Sequence, residues 1–260
     1  MISINGVKIT PLIFSDKTSQ VWQLSDALLE SLYKEGMCTI KWEFESEAEF
    51  IHLAQLKTLL DTRCTYVTLD MPYLPYARQD KWISNKTTFA LRTFATLLNT
   101  LNFTEVHVLD AHNNLRANMI NNLVDNSPRQ YIEHAIEAVG ANCFLYPDES
   151  ARQRYESLMM NHGIFSTYAI KKRDPSTGAI LSLNIQGDVK NKVVLMIDDL
   201  VDAGNTFILA ARDAYAHHAK EVHLYTTHGI YSKGMSPLHD ARIHRIFNCK
   251  GEVTSAVRTS

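Results

Sequence analysis

The chain has 260 residues, a formal net charge of -2 and 45% hydrophobic residues, enough apolar material for a globular core and no basic excess for nucleic acid or a membrane surface. Its length suits two domains of about 130 residues each. Cys38, Cys64, Cys143 and Cys249 are far apart and form no C-x-x-C pair, which indicates neither a zinc site nor a disulfide framework and favours a reducing, cytoplasmic compartment. The opening MISINGVKIT has no basic and apolar leader pattern, and no stretch reaches about 18 apolar residues, so the expectation is a soluble, unexported protein that does not enter a membrane.

Taken in chain order, residues 14–24, FSDKTSQVWQL, read as a turn and an alternating edge strand. Phe50, Leu53, Leu56, Leu59 and Leu60 form a helical stripe, followed by a strand over residues 66–71. Phe94, Leu97, Leu98 and Leu101 give a second helix, and residues 106–109 a second strand. The polar, Pro-containing DNSPR at 125–129 is the candidate boundary, dividing the chain into 1–126 and 127–260. Beyond it, Tyr131, Ala135, Ile136 and Val139 form a helix, residues 142–146 a strand, and Tyr155, Leu158 and Met159 a further helix. Alternating strand and helix patterns call for parallel sheets built from βαβ units, in two similar α/β layers.

The most informative stretch is residues 193–207, VVLMIDDLVDAGNTF. The apolar run 193–197 reads as a central strand that ends at Asp198 and Asp199, whose side chains are expected to point to opposite sides of the crevice where open α/β sheets bind ligands. Asp202, Ala203, Gly204, Asn205 and Thr206 then form a turn into a helix carrying Phe207, Ala211, Ala214 and His218. Carboxylates suited to sugar hydroxyls or a metal, beside free amides suited to phosphate, are the chemistry of a phosphorylated ribose site. Three other polar clusters follow strand patterns. In PYARQDK, Arg78 and Lys81 can hold phosphate oxygens while Gln79 and Asp80 can bond a base or a metal-bound water. His112 of the Asp110-Ala111-His112 segment can ligate a metal or touch a triphosphate, and Asp148 of Pro147-Asp148-Glu149 can hold magnesium through water. The Lys171-Lys172-Arg173 run, with Pro175, Ser176 and Gly178 after it, reads either as a solvated hairpin face or as a lid over phosphates.

PYARQDK, LDAH, LYPDE, KKR, IDDLVDAGNTF and TTHGIYSKG stand in an order and spacing that resembles the ribose-phosphate diphosphokinases, or PRPP synthetases, over most of residues 14–237. The resemblance implies two similar type I phosphoribosyltransferase-like domains with parallel sheets flanked by helices, an N-terminal ATP side and a C-terminal ribose-phosphate side. It implies transfer of the β,γ-diphosphoryl group of Mg-ATP to the 1-hydroxyl of ribose 5-phosphate, with Mg2+ as cofactor, in a homodimer or larger homo-oligomer. By the same resemblance, Phe14 stacks on adenine across a subunit interface beside Asp16; Arg78, Gln79, Asp80 and His112 contact ATP; His112 and Asp148 attend magnesium. Asp198 and Asp199 hold the ribose 2- and 3-hydroxyls, and residues 202–206 hold the 5-phosphate. Lys172, with Arg173, neutralises charge on the transferred group from a mobile loop after residues 168–170.

The departures bear on specificity. The family's lid usually reads Lys-Arg-Arg, whereas Asp174 follows Arg173 here; its adenine loop usually reads Phe-Ser-Asp-Gly-Glu, whereas this chain has Lys17 and Thr18 after Asp16. In the phosphate loop, Ala203 and Asn205 stand where Thr and Gly are common, which removes a hydroxyl donor and adds a Cβ. A loop with fewer donors suits a ribose whose 5-phosphate is already esterified, so ADP-ribose stands as the alternative acceptor in a route to NAD. A nucleotide-binding regulatory homologue without catalysis is the other alternative, although Lys172, His112, Asp198 and Asp199 are all present.

Overall fold

The computed structural model describes residues 1–21, 23–113, 117–173 and 180–253. It divides into two compact units, Met1–Asn126 and Ser127–Ser260. Each is an α/β layer with a parallel centre; the first sheet is antiparallel at one edge and the second at both.

In the first unit, β1 (Ile2–Ile4) and β2 (Val7–Ile9) form an antiparallel hairpin, and β3 (Leu12–Ile13) with β4 (Ser19–Gln20) a separate two-stranded ribbon. Then come α1 (Asp26–Glu35), β5 (Met37–Trp42), α2 (Glu49–Leu60), β6 (Tyr66–Asp70), α3 (Ala90–Asn99), β7 (Glu105–Leu109) and β8 (Leu123–Asn126). The sheet order is β2-β1-β5-β6-β7-β8, with β5 to β8 parallel. Ser25 caps α1, its hydroxyl accepting from the Leu28 N–H, and Gly36 closes the helix in the left-handed conformation. The alternation of MCTIKW puts Cys38, Ile40 and Trp42 into the core. Trp42, Phe50 and Phe94 meet there with ring centroids 6.1–6.4 Å apart.

The second unit contains α4 (Arg129–Val139), β9 (Cys143–Tyr146), α5 (Glu149–Met159), β10 (Phe165–Arg173), β11 (Ile180–Ile185), β12 (Val193–Val201), α6 (Asn205–Ala216), β13 (Glu221–Gly229), α7 (Ser236–Asp240), β14 (Ile243–Asn248) and β15 (Gly251–Glu252). The sheet order is β11-β10-β9-β12-β13-β14-β15. Every residue of β9 is buried, because helices cover both faces. Side-chain alternation divides the core: Val194 and Met196 pack with Phe207, Ala210, Ala211 and Ala214 of α6, while Leu195 and Ile197 pack with Ile132 of α4 and Tyr155 of α5.

Two sequence expectations change. Strand β12 does not end at Ile197 but continues through both aspartates to Val201, because parallel pairing with β13 persists over Asp198↔Thr226, Leu200↔His228 and Val201↔Gly229. Backbone pairing is indifferent to side-chain polarity, and Val201 is again buried. Asp125 and Asn126 belong to β8 and Arg129 opens α4, and the division between the units falls within DNSPR, between Asn126 and Ser127. Lys171, Lys172 and Arg173 lie in β10, whose antiparallel partner β11 makes a hairpin, and not in a loop; residues 174–179, with Asp174, Pro175, Ser176 and Gly178, lie outside the described residues.

Gly204 caps α6 at φ +78, and a Cβ there would stand 2.7 Å from Cδ2 of the buried Leu238 in α7. Gly204→Ala is expected to lower the unfolding free energy by about 1–3 kcal/mol through the left-handed backbone and that clash. Urea denaturation at constant m-value checks it, and a variant as stable as the parent would show that this contact does not fix the start of α6.

Candidate active site

In the second unit the chain moves from β9 outward to β10, then returns to the other side of β9 as β12 before continuing to β13. Their following helices go to opposite faces, α5 beside Leu195 and Ile197, α6 beside Val194 and Met196. The carboxyl ends of β9 and β12 therefore flank a topological switch point, the place where an open α/β sheet leaves a crevice. Asp148 follows β9 there, and Asp198 and Asp199 sit near the end of β12.

The structure brings these three acids together. Asp199 is buried and has the parity of Leu195 and Ile197, which turns it towards α5, where Arg154 Nη1 lies 3.3 Å from its Oδ2. Asp198 is half-buried, and its Oδ1 accepts from the Asp199 N–H at 2.9 Å. Burial first, then the Asp199 and Asp148 carboxylates nearby, push Asp198 well above the ordinary carboxylate range. Asp148 caps α5, its Oδ1 accepting from the Ala151 N–H at 2.9 Å, while Oδ2 lies 2.6 Å from Lys171 Nζ. Burial alone would raise Asp148, but Lys171 and the helix amides outweigh it and hold the carboxyl below its usual value. Asp148 is thus a helix cap with both carboxylate oxygens engaged.

Lys171 and Lys172 are consecutive in a strand and so face opposite sides. Lys171 has a side chain only 9% exposed, whereas Lys172 is exposed. Arg173 stands at the end of the strand, where its backbone pairs with Ile180.

Beyond β12, Asp202 and Ala203 are half-buried in the bend before Gly204, and α6 begins at Asn205 rather than at Phe207. The Asn205, Thr206 and Phe207 N–H groups have no intrahelical acceptor, and the first turn bond runs from the Ile208 N–H to the Gly204 carbonyl at 3.0 Å. Asn205 is exposed and Thr206 half-buried at this positive helix end.

In the first unit, two loops leave the carboxyl ends of β6 and β7 and are tied to each other. The Leu109 N–H donates to the Pro72 carbonyl at 3.0 Å, and Asn113 Nδ2 donates to Asp80 Oδ2 at 3.0 Å. Tyr76 anchors the first loop: its ring stands 5.3 Å from Phe94, and its hydroxyl donates to Glu47 Oε1 at 2.6 Å. Burial, reinforced by Glu47, pushes that hydroxyl up to about 12. Arg78 and Gln79 are thereby presented at the surface, while Asp80 is buried. His112 is exposed next to Asn113, after Asp110, which holds a positive φ of 55°.

Phe14 stands at the tip of the β3–β4 ribbon and is 40% exposed. The turn closes through the Phe14 N–H to the Thr18 carbonyl, and Asp16 Oδ1 accepts from the Thr18 N–H at 3.0 Å and its hydroxyl at 2.7 Å. Those bonds hold Asp16 below the usual carboxylate range. The ribbon is clamped to α2: the Val21 N–H donates to Gln55 Oε1 at 2.8 Å, Gln55 Nε2 to the Ser19 carbonyl at 2.9 Å, and Ser19 Oγ lies 2.7 Å from His52 Nε2.

Sequence reasoning missed Arg154, Asn113 and Tyr76 as parts of these sites and did not separate Lys171 from Lys172. Only Lys171 carried a signal, the two-residue period of the strand. Among the described residues no three His, Cys, Asp or Glu side chains form a metal cluster, and no helix is long and apolar enough to cross a membrane.

Comparison with known proteins bears on both units. Residues 179–250 match the family model described as the phosphoribosyl synthetase-associated domain. Over 232 residues the chain is 26% identical to a ribose-phosphate pyrophosphokinase from Sulfolobus acidocaldarius, covering 86% of this chain and 77% of that protein. Against the enzyme of that name from Mycoplasma pneumoniae it is 30% identical over 186 residues, covering 70% of this chain and 55% of the relative. The chain spans a little over half the length of that relative and of its counterpart from Mycoplasmopsis pulmonis, 55% and 56% respectively. The crystal structure of a phosphoribosylpyrophosphate synthetase from Mycobacterium smegmatis superposes with a TM-score of 0.67 over 92% of this chain and 78% of that one, at 18% identity, so the two share a fold. The chain is thus similar in sequence to ribose-phosphate pyrophosphokinases and shares the fold of a phosphoribosylpyrophosphate synthetase.

Proposed function

We propose that the chain transfers the β,γ-diphosphoryl group of Mg-ATP to the 1-hydroxyl of ribose 5-phosphate, giving PRPP and AMP. The observation that carries this reading is the Asp198–Asp199 pair ahead of the Gly204-capped start of α6, at the switch between β9 and β12. Ionised carboxylates accept from vicinal sugar hydroxyls, and helix-end amides donate to a phosphate. The second unit is thus the acceptor side. The first is the ATP side: Arg78, Gln79 and His112 stand on two mutually tied loops that can hold a triphosphate, and Asp80 holds those loops together through Asn113. Phe14 offers an exposed ring to a base, with Asp16 shaping its turn, and a base reaching that ring from a second copy makes a homodimer or larger assembly the working form.

Diphosphoryl transfer asks for positioning and charge neutralisation rather than covalent help. The exposed Lys172 neutralises charge growing on the transferred group; the side chain of Arg173, the other cation expected there, lies outside the described residues. Asp148 does not fit a metal ligand, since one oxygen accepts from the Ala151 N–H and the other meets Lys171. Magnesium therefore enters this reading as the counter-ion of ATP. Incubation with Mg-ATP and ribose 5-phosphate is expected to release AMP together with a product heavier by one diphosphate, read by mass spectrometry. Lys172→Ala should lower turnover by about 100-fold or more while ATP affinity stays within a few-fold, because a cation acting on transition-state charge leaves ground-state binding little changed. Equal losses in affinity and rate would remove Lys172 from that role.

Asp198 links the acceptor site to stability. Its folded pKa lies above the ordinary 3.8, so its favourable contribution is complete below that value and is lost as pH rises towards the elevated one. Asp198→Asn is therefore expected to melt a few degrees above the parent at pH 8 and to match it at pH 3, while acceptor KM rises at least tenfold. A variant that melts lower at pH 8 would show that the carboxylate is stabilised rather than strained.

ADP-ribose is the second acceptor, favoured by Ala203 and by the exposed Asn205 at the first position of α6, which remove a hydroxyl and a glycine from the phosphate cradle. A free 5-phosphate carries nearly two charges and feels each lost donor at about 1.5–3 kcal/mol, whereas a diester carries one. Ala203→Thr with Asn205→Gly should raise kcat/KM for ribose 5-phosphate relative to ADP-ribose by about tenfold. An unchanged ratio would show that this turn does not choose the acceptor.

A further inference from the structure

The half-buried end of β9 and β12 gathers the carboxyl groups of Asp148, Asp198 and Asp199, and two of them carry a resident cation. Arg154 meets Asp199 at 3.3 Å and Lys171 meets Asp148 at 2.6 Å. The Lys171 pair has the features of a built contact. Its side chain is 9% exposed, it projects from the interior side of β10, and the Asp148 oxygen that it does not occupy accepts from the N–H of Ala151 in the first turn of α5. A strand fixes the direction of the lysine stem, and a helix cap fixes the carboxylate. Mg2+ requires oxygen ligands at about 2.0–2.1 Å in near-octahedral order, and an ammonium within hydrogen-bonding distance of Asp148 Oδ2 already takes that position.

The geometry points to Lys171 as a built-in monovalent substitute for a divalent cation at Asp148: its ammonium neutralises that carboxylate, keeps metal from it, and leaves the neighbouring Asp198 and Asp199 for the sugar. Lys171 is thus a positioning residue. The inference deepens the diphosphoryl-transfer reading and rests on it only for placing the sugar beside Asp198 and Asp199. It separates the two adjacent lysines by role, Lys171 holding the acceptor side in order and Lys172 facing the transferred group.

The test counts metal on the full chain without nucleotide, using Mn2+ as the probe and electron paramagnetic resonance to measure free ion. Asp148→Asn should leave the number of bound Mn2+ ions unchanged, since asparagine keeps the helix cap and no metal is held there to lose. Lys171→Gln should add about one Mn2+ per chain, Lys171→Arg should add none, and Lys171→Gln combined with Asp148→Asn should return to the parental count. Loss of a bound ion in Asp148→Asn, or no gain in a Lys171→Gln protein whose circular dichroism matches the parent, would overturn the inference. The Asp148→Asn arm decides the matter alone if Lys171→Gln does not fold. Failure of the diphosphoryl-transfer reading is a separate result: no AMP release from the parent protein, with the Mn2+ counts as expected.

Discussion

Charge compensation at one end of a buried sheet governs the second unit. Carboxylates that leave water must be paired, hydrogen-bonded or protonated, because desolvation of an isolated one costs several kcal/mol. The three acids here take three different solutions. Asp148 gains an ammonium and helix amides, Asp199 gains a guanidinium, and the ion pairs of the described residues give Asp198 no cation, so its proton affinity rises. Each solution comes from a different element around the switch: Lys171 from β10, the capping amide and Arg154 from α5. The order β10-β9-β12 is what brings those elements within reach, so the topology and the electrostatics are one constraint seen twice.

The first unit fixes its loops by a different means. There the carboxyl ends of β6 and β7 are joined by backbone and side-chain hydrogen bonds, and an aromatic cluster running from Trp42 through Phe94 to Tyr76 ties the Arg78–Gln79 loop to the core. Tyr76 adopts a positive φ of 62°, a conformation costly for an aromatic residue, and its ring packing and its bond to Glu47 offset that cost. Burying polar loop residues through such ties leaves the side chains between them, Arg78 and Gln79, outside. The two units reach the same end, fixed polar groups at strand ends, one through apolar anchoring and the other through ion pairs.

Much of this was legible in the sequence where the signal is periodic. The helices around Leu53, Phe94 and Ile136 carry a 3.6-residue stripe, and residues 66–71, 106–109 and 142–146 read as short strands placed between such helices. Two kinds of feature were hidden. Strand β12 continues through two aspartates because its partner β13 supplies backbone pairing that no property of Asp198 or Asp199 reveals. Arg154, Asn113 and Tyr76 were invisible for a related reason: they act on Asp199, Asp80 and Glu47, which are 45, 33 and 29 positions away, and pairing at such separations has no period.

The Lys171-Lys172-Arg173 run shows how much depends on the secondary structure assigned to a motif. As a loop, three cations in sequence can all turn towards one ligand, and their number is what matters. As a strand, the two consecutive lysines face opposite sides, and only one of them can turn to a given ligand. The hairpin of β10 and β11 imposes the second arrangement, so that one lysine is consumed as the internal counter-ion of Asp148 and the next is left exposed. A pairing register that slipped by one residue would exchange their places, burying Lys172 against the acid and exposing Lys171. The parallel register of β10 with β9, set by Phe165↔Cys143 to Tyr168↔Tyr146, prevents that slip, because it also places Ala169 in the core and Lys171 two residues further along the same face. The outward placement of Lys172 is thus inherited from the packing of a small apolar residue three positions earlier.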